Sequence, residues 1–292
     1  PSAAAVPLPP IVTSPTPPAP GSGTFDLEEL IAAYLTAPSI PSAILSQVAS
    51  TPTVLPGHGE GLLAGFVEAA RSPHFIVYVR EGSAAAADAS ELAAQAESIL
   101  ATLQEQLGID LRGPLDYYLF APQHNPAFSA LSVANLRVIL QRYTESTTLA
   151  DFAALAAHEL THQMAYDAFG EGEAPLLDEG LAMWASEPYL LAAGQKPLHE
   201  RMRKHLEDGS TVPLAELVFD ISRFTGRHQQ QAYDGAGSLV GHLVDEYGLY
   251  RFKRLYGGAT YVDVYGLTLA ELEREWLQSV KDVEYGNPHP PS

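Results

Sequence analysis

The chain has 292 residues, 46% of them hydrophobic and 17% charged, enough to bury a substantial core in one large domain or two lobes. With 16 Lys and Arg against 35 Asp and Glu its net charge is −19. Such an acidic surface disfavours nucleic acid and anionic membranes, both of which reward basic clusters. There is no cysteine, which excludes disulfides, thiolate zinc sites and cysteine nucleophiles, so any metal must be held by His and carboxylate.

Residues 1–25, PSAAAVPLPPIVTSPTPPAPGSGTF, are rich in Pro, Ser and Ala and read as an arm or linker. A first residue other than Met, ahead of such an arm, leads us to expect an exported chain trimmed behind its signal, outside the cell or at its surface. No apolar stretch runs unbroken for ~18 residues, so no membrane span is expected. Residues 26–72 read as short helices leading into the domain. FDLEELIAAYL carries an amphipathic pattern in Leu27, Leu30, Ile31 and Tyr34, and a second short helix is expected over Gly61–Ala70. Prolines 38, 41, 52 and 56 keep the stretch between them irregular.

Residues 73–147 are expected to form the α/β half. His74–Arg80, HFIVYVR, is rich in β-branched and aromatic residues and reads as a buried strand. Asp88–Leu107 reads as a helix, with Leu92, Ala96, Ile99, Leu103 and Leu107 on one stripe and Gly108 as its stop. Leu115–Phe120 and Leu136–Gln141 are expected strands. Residues 148–284 change character to helix. Thr148 is the expected N-cap of the first helix, with Asp151 completing a variant capping box and Gly170 closing it. Leu176–Ser186 follows, with Pro175 in its first turn and Pro188 as its stop. Leu198–Asp208, Gln229–Tyr247 and Leu269–Val283 are also helical, the last opened by Thr268 and Glu271. Residues 285–292 form a tail. The predicted fold class is α+β, a mixed α/β first half and a helical second half with a cleft between them.

One constellation carries chemistry. His158 and His162 stand four apart on a helix, so both imidazoles project from one face and can share a metal ion. Glu159 lies beside the first of them and can take a proton from a water held there. Zinc lowers the pKa of such a water from ~15.7 to ~7, which makes a nucleophile available at neutral pH. The same helix has a separate apolar face in Ala153, Ala157, Leu160 and Met164. The next helix carries Asp178-Glu179-Gly180-Leu181-Ala182, and Glu179 can supply the third ligand of a His₂Glu zinc site with one position left open.

HELTH, the LLDEGLAMWAS helix and the later QAYDGAGSLVGHLVDEYG together resemble the gluzincin zinc metallopeptidases, within them the bacterial peptidase MA-like domains. The closing GLTLAELEREWLQSV is similar to the terminal helix of such domains, and the resemblance covers about Phe75 to Val280. It implies a zincin-like fold, His158, His162 and Glu179 as ligands of one Zn²⁺ per chain, Glu159 as general base and Tyr233 as the hydroxyl that steadies the oxyanion. His228 and His242 compete with Tyr233 for that role. Leu177 stands where relatives often have Trp. Met183 stands where thermolysin-type enzymes place an aspartate behind a ligand histidine, so that support must come from elsewhere; Asp178, Asp234 and Glu246 are the candidates. The Gly-Ala-Met-Glu-Asn sequence of zinc aminopeptidases is absent, which leaves no clamp for a free amino terminus. His58, His74 and His124 read as structural. The expected activity is zinc-dependent endopeptidase action on peptide or protein substrates. A degenerate member acting as a binding module, and a zinc hydrolase of a non-peptide amide or ester, are the competing readings.

Overall fold

Side chains that alternate with period two build the first half as a sheet. The computed structural model describes residue 63 and residues 65–121, 129–170, 174–218 and 227–282. The Pro-rich arm, the expected helix over FDLEELIAAYL, His58, His124 and the tail lie outside them. Strands β1 (Phe66–Arg71), β2 (Phe75–Arg80), β3 (Leu115–Phe120), β4 (Ala130–Val133) and β5 (Val138–Arg142) pair in the order β1-β2-β3-β5-β4. The central three run parallel, while β1 and β4 are antiparallel edges. Phe75, Val77, Val79, Leu115, Tyr117 and Leu119 face the main core under helix α1 (Ala84–Leu107). Tyr118, Phe120, Val138 and Leu140 pack together in a smaller cluster on the other face. The expected apolar stripe of α1 is buried, and Gly108 closes the helix in the left-handed region at φ 56°.

Three expectations are corrected. Where the second half of the short helix expected over Gly61–Ala70 would lie, Phe66–Arg71 is strand β1, which pairs with β2 as a hairpin. Pairing along β2 outweighs the helix preference of its Glu-Ala-Ala stretch, as tertiary context commonly outweighs propensity. The strand expected from Leu136 begins at Val138, behind a 3₁₀ turn over Ala134–Leu136 and Arg137 at φ 58°. Pro188 does not stop its helix, which runs from Pro175 to Ala192. The proline lacks the N–H for one backbone bond, but it faces solvent near the helix end, where the freed carbonyl can meet water.

The second half is helical: α2 (Leu149–Phe169), α3 (Pro175–Ala192), α4 (Leu198–Glu207), α5 (Leu214–Leu217), α6 (Arg227–Tyr247), α7 (Leu249–Tyr256), α8 (Tyr261–Tyr265) and α9 (Leu269–Asp282). Thr148 and Asp151 form the expected reciprocal capping box of α2. At the head of α9, Thr268 and Glu271 exchange the corresponding bonds. Helix α2 packs against α1, α3 and the sheet edge β4, and α3 packs against α6. Close approach of α3 and α6 depends on two glycines. A Cβ on Gly180 would meet Ala236 O and Val240 Cγ2 at 2.7 Å, and one on Gly237 would meet Met183 Cβ at 2.6 Å. Among the described residues no helix is long and apolar enough to cross a membrane.

Candidate metal centre

The capping box fixes where α2 starts, and the apolar face of that helix fixes how it lies. Ala153, Ala157, Leu160 and Met164 are buried, as expected. With that face docked, His158 and His162 turn toward α3, and the first turns of α3 bring Glu179 to meet them. His158 Nε2 lies 3.2 Å from His162 Nε2 and 3.2 Å from Glu179 Oε2, and His162 Nε2 lies 3.5 Å from that same oxygen. These three are the metal-ligating group found among the described residues.

The triangle can be tested against zinc. Tetrahedral ligands with bonds of ~2.05 Å stand ~3.3 Å apart, edge to edge. The three observed edges, 3.2, 3.2 and 3.5 Å, match that spacing. The donor chemistry agrees: two imidazole nitrogens face one another, and a single shared N–H cannot satisfy both together with a carboxylate as well as a cation between them does. The residues present therefore fit a zinc ion.

The electrostatics of the three side chains favour positive charge between them. Burial alone would push Glu179 up, but the His162 imidazole and hydrogen bonds from both histidines hold it well below the usual carboxylate range. Burial alone would push His162 down, but Asp178 and Glu179 hold it well above its ordinary value. A divalent cation would take over the role of that proton.

Glu159 is 6% exposed and its carboxyl is raised by burial, against the pull of His158 and His162 and a bond from the Ser132 backbone N–H on β4. A carboxylate with raised proton affinity beside a metal centre is suited to accept a proton and give it back. The edge strand is tied to the same helix from a second point, since Gln163 Nε2 donates to Ser132 Oγ at 2.7 Å. Tyr233, on α6, has its ring centroid 6.4 Å from that of His158, so its ring stands beside one of the three.

The remaining candidates separate. His228 is exposed at the start of α6 and pairs with Gln231. His242 is buried and meets Ser279 Oγ at 3.2 Å; nine residues past Tyr233 on one helix, it lies about 13 Å further along the axis. Neither joins the metal-ligating group. Asp234 is not behind a ligand histidine: it is buried between Arg201, His205 and Gln230, where it fastens α4 to α6. Glu246 is exposed on α6, in a groove with His242, Tyr247 and Arg274. Asp178 alone reaches the centre. Its Oδ2 stands 3.2 Å from His162 Nδ1, although the approach lies off the direction of the ring N–H, so that nitrogen still lacks a well-aligned partner. His74 is structural, as expected, paired with Glu97 at 2.8 Å.

No family model matches the chain, and no curated protein matches it. Solved structures similar to it include an M1 zinc metallopeptidase from Deinococcus radiodurans and a point mutant of an M1 zinc metallopeptidase from that organism, each at 16% identity and TM-score 0.41. A two-domain M1 zinc metallopeptidase mutant bound to L-arginine is similar at 17% identity and the same TM-score. Each match covers 78% of this chain and 52% of the other, so this chain spans about half the length of those proteins. At that TM-score the likeness lends no weight to a functional reading, and the geometry of the centre stands by itself.

Proposed function

We propose that the chain is a zinc-dependent peptide hydrolase of gluzincin type, acting as an endopeptidase. The observation that carries this reading is the triangle of His158, His162 and Glu179, whose edges suit tetrahedral zinc. These residues would hold the ion; bound there, zinc supplies a Lewis acid that polarises a carbonyl and lowers the pKa of water to ~7. Glu159 takes the proton of the attacking water and returns it to the leaving amine, the role its raised proton affinity suits. Tyr233, beside His158, donates its phenol hydrogen to the oxygen on which negative charge develops. Asp178 sets a carboxylate oxygen 3.2 Å from Nδ1 of His162, a charge that favours the proton on that nitrogen and the lone pair on Nε2, facing the ion.

Glu159→Gln tests this assignment. The variant keeps its size and loses the base, so zinc should stay while cleavage of a quenched peptide library falls by about 10²–10⁴. Equal cleavage by both proteins would remove Glu159 from the mechanism. Zinc in both with cleavage by neither would favour a binding module.

A further inference from the structure

Tyr256 ends helix α7, 78 residues from Asp178, yet its hydroxyl donates to Asp178 Oδ1 at 2.5 Å. The other oxygen of that carboxylate is the one at 3.2 Å from His162 Nδ1. A chain thus runs from Tyr256 through Asp178 to a metal-ligating histidine. The phenol is 8% exposed and its ring packs on Phe169, the last residue of α2, with centroids 5.1 Å apart, and on Phe252 at 6.1 Å. It therefore rests on the end of the helix that carries both histidines while gripping the first turn of the helix that carries Glu179.

We propose that Tyr256 is a positioning residue of the metal centre, holding the Asp178 carboxylate so that its free oxygen faces Nδ1 of His162. This rests on the zinc reading given above. A carboxylate on a first helical turn can rotate about its last torsion and turn both oxygens to water. The phenol bond fixes one oxygen and so keeps the other within 3.2 Å of the imidazole Nδ1. A carboxylate charge that close to Nδ1 favours the proton there and the lone pair on Nε2, the tautomer that a zinc ligand needs. Sequence spacing offers no sign of this arrangement, because Tyr256 belongs to a short helix that meets α3 only in the folded chain.

The test is zinc affinity, measured by competition with a chromophoric chelator on the full chain, in a double-mutant cycle. Asp178→Ala should weaken zinc about 10–100-fold, the usual loss for an outer partner of a ligand histidine. Tyr256→Phe keeps both ring contacts and should weaken it about 3–10-fold, with the melting temperature of the metal-free protein unchanged. In the Asp178→Ala background the tyrosine change should do nothing further, since the group it orients is gone. A hydroxyl that acted by a route other than Asp178 would cost affinity in both backgrounds, and such multiplied losses would overturn the proposal. Parent-like affinity in Tyr256→Phe would overturn it as well. A parent protein that takes up no zinc would sink the metal centre itself, and this inference with it.

Discussion

Gly180→Ala places one methyl where α3 and α6 come closest, directly after the Glu179 ligand. The new Cβ would stand 2.7 Å from Ala236 O and 2.7 Å from Val240 Cγ2, and 3.1 Å from Ala236 C. Two of those three atoms are backbone, so no side-chain rotation relieves the contact and the helices must part by several tenths of an ångström. At an open helical position the same change would stabilise by about 1 kcal/mol. Here overpacking of about 1–3 kcal/mol opposes that gain. With two backbone atoms in contact we expect the cost to win by up to about 2 kcal/mol, seen as a melting temperature up to about 8 °C lower for a body of this size. The melt should be recorded with excess chelator, so that metal binding does not contribute to it. Zinc affinity should fall too, because α3 carries Glu179, the residue directly before the strained position. A variant that melts at or above the parent temperature would refute the close packing of these two helices and the role given to this glycine.

Tyr233→Phe should lower kcat far more than it alters KM, by about 10²–10³, if the phenol contacts the oxyanion and not the ground-state carbonyl. A loss below about fivefold would return Tyr233 to packing. His242 sets a pH dependence of stability. Burial pushes its imidazole down against the pull of Glu246, Glu275 and Asp245. Its folded value thus lies below the unfolded ~6.5, and the stability it contributes is full above that pH and lost as pH falls below it. His242→Gln should flatten the fall in melting temperature between about pH 7.5 and 5.5, and an unchanged slope would exclude His242 as its source.

The helical half was legible because its signals are local. Thr148 with Asp151, and Thr268 with Glu271, mark helix starts within four residues of chain. The four-residue spacing of His158 and His162 places both on one face before any tertiary contact is known. Glu179 could be read from its helix and its neighbour Gly180, whose lack of a side chain the packing against α6 explains. Less was legible where distant contacts decide. Strand β1 forms because β2 lies beside it, not because Phe66–Arg71 prefers the extended state. Strand β4 has four residues, too few for periodicity to declare itself, and yet its Ser132 supplies a backbone bond to Glu159. The choice among Asp178, Asp234 and Glu246 rested on which helices meet. Asp234 is claimed by Arg201 and His205 across α4, whereas Asp178 stands one residue before a ligand and shares its turn. Pro188 misled because a proline removes one backbone bond from a helix without always ending it, and here it sits exposed in the last turns, where water can meet the freed carbonyl.

The central claim is that one zinc ion sits among His158, His162 and Glu179. Crystals of the purified protein, measured on either side of the zinc absorption edge, test it most directly. A single anomalous peak is expected about 2.0–2.2 Å from His158 Nε2, His162 Nε2 and Glu179 Oε2, absent from Glu179→Ala grown at the same zinc concentration. No peak at that position in zinc-saturated crystals, or a peak that persists at full height in Glu179→Ala, would contradict it.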